Sequence, residues 1–147
     1  MIIGSGQFRE EVEGLGFECW LPRDREVYCP SMEWVKGFGE YLVLGRKAGV
    51  GECWDCDDFA MEAVAEASEA CRYGAIRVGH TFVYCTVRMW GELNGIEVEG
   101  DQIVGHATNL VRLNGGEFVF FEPQNGRITD ARVAIDNGVV APVNALL

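Results

Sequence analysis

The sequence predicts an α+β chain, helical in its first half and folded as an antiparallel β-meander in its second. Three observations carry this. The segment from Asp55 to about Arg72 is rich in Ala and Glu, opens on a capping pattern and closes at Gly74. Residues 75 to 89 instead carry Ile, Val, Phe, Tyr and Thr, a strand composition. Four Asn-Gly dipeptides then follow, at Asn94, Asn114, Asn125 and Asn137. Asn-Gly favours hairpins because both residues tolerate positive φ. Helices first and strands later define the α+β class.

Each element has a local reason. Residues from about 6 to 14 fit a short helix ended near Gly14 or Gly16. Ser31, after Pro30, is placed to cap a helix running to about Leu44, with Met32, Val35, Phe38 and Leu42 near helical spacing. Asp55 is the expected N-cap of the next helix, with Asp58 three residues on as its capping-box partner. The last three Asn-Gly pairs are spaced by about one strand and one turn each, as a meander requires. No repeat or linker divides residues 1–147, which read as a single domain.

Composition narrows the function classes. With 147 residues, 48% of them hydrophobic, the chain has enough apolar content for a core. Its formal net charge of −11 opposes binding to nucleic acid and docking on anionic membranes. No stretch reaches the roughly 18 consecutive apolar residues of a membrane span. Charged residues come too early for a signal peptide, so a cytoplasmic setting is expected. The six cysteines are expected as reduced thiols, mostly buried as small hydrophobes.

Cys56 is the residue that speaks most about chemistry. It lies where a helix starts, and the orphan N–H groups there favour an anion such as a thiolate. A nucleophilic thiol needs a base, and the base an orienting acceptor. His106, in Gly105-His106-Ala107-Thr108, and Glu122, in Phe121-Glu122-Pro123-Gln124, could supply them. Register tests the idea. A two-residue Asn114-Gly115 loop would put Glu122 on the opposite face from His106. A three-residue Asn114-Gly115-Gly116 loop pairs Leu113 with Glu117, so that His106, Glu122 and Gln124 share one face. The triad therefore predicts the longer loop. A structural histidine on a strand beside an apolar run is the competing reading.

Three acids surround the thiol. A carboxylate about 6 Å from a thiolate costs from about 0.7 kcal/mol at bulk dielectric to about 2.8 kcal/mol at an effective value of 20. Either Asp55, Asp57 and Asp58 cap the helix and complement its dipole, or they hold a hard cation such as calcium. Cys53-Trp54-Asp55-Cys56 is also a Cys-x-x-Cys sequence before a helix, although no convincing strand precedes it as in thioredoxin-like redox proteins. Zinc lacks a second ligand pair.

Taken together, Asp55-Cys56-Asp57-Asp58-Phe59-Ala60, Gly105-His106-Ala107-Thr108-Asn109 and Phe121-Glu122-Pro123-Gln124 resemble the papain/transglutaminase-like cysteine proteinases. The similarity extends to calcium-dependent bacterial members, to the mushroom agglutinin protease domain and to small phage-encoded relatives. It implies a papain-like α+β fold, with the nucleophile at a helix N-terminus packed on the C-terminal meander. It implies Cys56 as nucleophile, His106 as base, Glu122 as orienting acid and Gln124 as a polar site residue. Calcium would sit at Asp55, Asp57 and Asp58, and the substrate would be a peptide or protein. A second hypothesis is a non-catalytic structural or binding protein, virion association included, that keeps the fold. Such a protein would leave Cys56 free, with His106 pointing away.

Overall fold

The structure is a computed structural model in which residues 1–20, 25–44, 55–98, 100 and 102–147 are described. In chain order these form β1 (Ile2–Gly4), α1 (Ser5–Gly14), β2 (Glu18–Trp20), β3 (Glu26–Tyr28), α2 (Met32–Leu44) and α3 (Cys56–Tyr73). There follow β4 (Gly79–His80), β5 (Phe82–Met89), β6 (Glu92–Leu93), β7 (Ile96–Glu97), β8 (Val104–Arg112), β9 (Phe118–Phe121), β10 (Ile128–Asp130), α4 (Ala131–Asp136) and β11 (Val140–Leu146).

The helix expectations rest on local chemistry and are met. The Ser31 hydroxyl accepts from the Trp34 N–H, capping α2. Asp55 accepts from the Asp57 N–H while Asp58 accepts from the Asp55 N–H, closing the capping box of α3.

The division into N-terminal helices and a C-terminal meander is not met. The described chain is β-rich, and three of its eleven strands lie before residue 30. The central six-stranded sheet has the order β10-β9-β8-β5-β11-β2, and β11 pairs in parallel with β2. Three-residue strands such as β2 carry no periodicity of their own; distant partners make them strands. Asn137-Gly138 is no hairpin either. It ends α4, whose N-terminus the Asp130 side chain caps, and Gly138 takes the left-handed φ of +71° that closes such a helix.

Two cores flank the central sheet. On one face α1, α4, β1 and β3 pack onto Val83, Cys85, Val87, Leu110 and Phe120. On the other, α2 and α3 pack onto Phe82, Val111, Val119 and Phe121. Gly39 of α2 passes the β9–β10 connection closely: a Cβ there would lie 3.0 Å from the Phe121 ring and 3.3 Å from the Gly126 carbonyl oxygen.

Candidate functional site

Cys56 opens α3 as a half-buried free thiol. Its acidic neighbours all have protein partners. Asp55 and Asp58 are bound in the capping box, and Asp57 Oδ1 accepts from the Tyr84 hydroxyl at 2.9 Å. Burial, and then the hydrogen bond to Asp57, push the Tyr84 phenol well above its ordinary value. Among the described residues no three His, Cys, Asp or Glu side chains gather as a metal site. The carboxylates at 55, 57 and 58 thus serve the helix terminus and a tyrosine. Cys56 is no disulfide partner; Cys53 and Trp54 lie outside the described residues.

His106 and Glu122 come together as the longer loop requires. Leu113 N–H donates to the Glu117 carbonyl across Asn114-Gly115-Gly116, with Gly116 at φ +96°. Continuing the β8–β9 register places Thr108 opposite Glu122. His106 Nε2 lies 2.7 Å from Glu122 Oε2, with the two side chains 6% and 0% exposed. Thr108 Oγ1 donates to the Phe121 carbonyl at 2.8 Å and lies 3.4 Å from Glu122 Oε2. Gln124 donates its backbone N–H to Glu122 Oε1 at 3.2 Å. A carboxylate this buried requires such a complete set of donors. Cys85 shares this surroundings, its thiol pushed up by burial and then by the Glu122 charge.

The thiol and the imidazole are on opposite sides of the sheet. Asn109 Nδ2 donates to the Ala60 carbonyl of α3, and Val111 packs with Ala63 and Ala67, so the odd-numbered residues of β8 face α3. The register against β5 is unbroken from Val104 to Val111, so His106 and Thr108 face the other core. Tyr84, which holds Asp57 beside Cys56, pairs with Asn109 on the α3 side. No hydrogen bond joins Cys56 to His106 among the described residues. The structure therefore assembles His106, Glu122 and the Gln124 backbone, but leaves Cys56 apart.

Beside α3 lies a feature that the sequence motifs did not mark. A groove of about 650 Å³ runs between α3, the ends of β4 and β5, and the β11–β2 edge. Its walls include Trp20, Met61 and Leu146, which are 54%, 60% and 47% exposed, together with Tyr84. Among the described residues no Asp, Glu, Lys or Arg lines it. Within its lining the Phe82 N–H donates to His80 Nδ1, so Nε2 carries the proton and donates to Ser68 Oγ at 2.8 Å; that hydroxyl donates to the Val64 carbonyl. A helical stripe at Met61, Val64, Ser68 and Cys71 was the signal available in the sequence. Trp20 had none, because β2 exists only through its pairing with β11.

No family model and no curated protein matches this chain. Among solved structures, one described as a PSL1a–E64 complex matches with TM-score 0.61 at 19% identity, over 99% of this chain and 50% of its own. A Polyporus squamosus lectin bound to the human-type influenza-binding epitope Neu5Aca2-6Galb1-4GlcNAc matches with TM-score 0.61 at 19% identity, over 99% and 49%. The chain thus spans about half the length of the structures it matches. At this identity the likeness shows the fold alone. It corrects the resemblance to the papain/transglutaminase-like proteinases: the fold, β-rich as described, is shared with these two structures, one of them named for a lectin and neither for such a proteinase. The expected papain-like fold class, the cysteine-peptidase activity, and the hydrolase and phage readings are set aside with it. Short motifs around Cys56, His106 and Glu122 do not define a family, because they encode a helix cap and a hairpin as readily as a triad. No described helix is long and apolar enough to cross a membrane.

Proposed function

We propose that this protein acts by binding rather than by covalent turnover, and that the groove beside α3 holds the ligand. The observation that carries the reading is the separation of Cys56 from His106 by the sheet, which leaves the thiol without the base that acyl transfer needs. The groove supports it further. Its volume suits a small ligand, and Trp20 and Tyr84 offer aromatic faces on which the apolar side of a sugar ring can stack. With no charged side chain among the described residues of the lining, a neutral saccharide is the proposed class. His106, Glu122 and Thr108, joined by the Gln124 backbone N–H, then serve as a polar clamp between β8 and the segment after β9. Reduced thiols in a cytoplasmic setting remain the proposed environment, supported by the free cysteines among the described residues.

Calorimetric titration tests this with three probes: Galb1-4GlcNAc, the sialylated trisaccharide and E64. The expected result is saturable binding of the neutral disaccharide, at least as tight as that of the trisaccharide, lost in Trp20→Ala and kept in Cys56→Ala. Peptide hydrolysis that disappears in Cys56→Ala would overturn the reading, as would a disaccharide that does not bind.

A further inference from the structure

Four Asn-Gly pairs share a chemical hazard, and the fold treats them unequally. Deamidation begins when the glycine backbone nitrogen attacks the asparagine side-chain carbonyl carbon. That attack needs a glycine N–H free of other bonds, an untethered side-chain amide and a backbone able to turn.

Three pairs fail these conditions. Asn94 is 7% exposed, donates to the Phe120 carbonyl and accepts from Thr129, while the Gly95 N–H is held by Glu92 at 2.8 Å. Asn125 donates to the Asn94 carbonyl and accepts from the Arg127 N–H, while the Gly126 N–H is held by the Glu122 carbonyl at 2.8 Å. Asn137 is exposed, but the Gly138 N–H donates to the Ile135 carbonyl at 3.0 Å at the end of α4. Asn114 differs. Its own backbone N–H donates to the Pro30 carbonyl at 2.9 Å, but it and Gly115 are exposed, and neither the Asn114 side chain nor the Gly115 N–H that must attack it has a partner among the described residues.

We propose that Asn114 is a site of spontaneous deamidation and isoaspartate formation, favoured by the fold over the other three pairs. The Gly115 nitrogen bonds to the side-chain carbon of Asn114, the bond from that carbon to Nδ2 breaks, and ammonia leaves with the Gly115 amide proton. Solvent water then opens the cyclic imide at either carbonyl, giving aspartate or isoaspartate with no change of oxidation state. The product matters because of where the loop sits. Isoaspartate lengthens the backbone of a three-residue turn that sets the β8–β9 register and so places Glu122 against His106. The new carboxylate also arrives beside Glu117, whose side chain occupies the space next to Gly115.

The test is peptide mapping with isoaspartate-specific methylation on the full folded chain, aged in mildly alkaline buffer, with a urea-unfolded sample alongside. Modification at Asn114 is expected to exceed the other three sites combined in the folded chain, and to approach theirs in urea. Gly115→Ala, whose added methyl has the carboxylate end of the flexible Glu117 side chain as its nearest neighbour and displaces it, should slow it. Folded-state rates at Asn137 equal to those at Asn114, or an Asn114 that reacts only in urea, would overturn the proposal.

Discussion

The two faces of the central sheet handle carboxylates in opposite ways. On the α3 face, Asp55 and Asp57 lie at the surface and Asp58 only partly below it, each serving a helix terminus or a tyrosine. On the other face a single carboxylate, Glu122, is wholly buried and meets a ring nitrogen and a backbone N–H. Near water an acid costs little wherever it stands. In the core it persists only when every oxygen is answered, so its placement is much more tightly specified. The acids that drew attention to Cys56 are thus the less constrained set.

The contrast can be broken by mutation. Glu122→Ala should cost the most, about 3 kcal/mol in chemical denaturation, because it strips a buried partner from His106. A cost below that of a surface change would show that the clamp is not satisfied as described. On the α3 face, Asp55→Ala should cost about 1 kcal/mol through the lost cap, and Tyr84→Phe a comparable amount through its bond to Asp57. The sharpest comparison is a double-mutant cycle between Cys56→Ala and His106→Ala. Residues on opposite faces without shared partners should add to within about 0.5 kcal/mol; a larger coupling would put thiol and imidazole in one site.

Charge gives a further check on the His106 face. The hydrogen bonds from Arg112 hold the Glu11 carboxyl below its ordinary value of 4.5. A depressed carboxyl contributes stability that is complete above the unfolded value and is lost as pH falls through the folded one. Glu11→Gln should therefore flatten the loss of stability below pH 4.5 and leave the slope at neutral pH alone. An acid limb unchanged in slope would assign that loss to other groups. The smallest effect is expected from calcium: with Asp55, Asp57 and Asp58 already partnered, added calcium should not move Tm, and a clear rise would place a cation among these acids.

What could be read in the sequence was what neighbours in the chain decide. Ser31 and Asp55 cap their helices through groups two or three residues away. The Asn114-Gly115-Gly116 loop fixed a register by counting, which is why His106 and Glu122 meet as expected. Which face α3 would cover was not legible, because it depends on contacts such as that between Asn109 and Ala60, far apart in sequence. The fold class failed for the same reason: β2 is too short to announce itself and becomes a strand only when β11 arrives.

That parallel edge has a kinetic side. Trp20 and Asn144 lie 124 residues apart in the chain yet touch across β2 and β11. Closing so long a loop is entropically slow, so this pairing belongs among the last events of folding. Until it forms, one side of β11 exposes unpaired backbone, and a partly folded chain can recruit a neighbour there. Refolding yield should therefore fall with protein concentration more steeply than the stability of the finished molecule suggests.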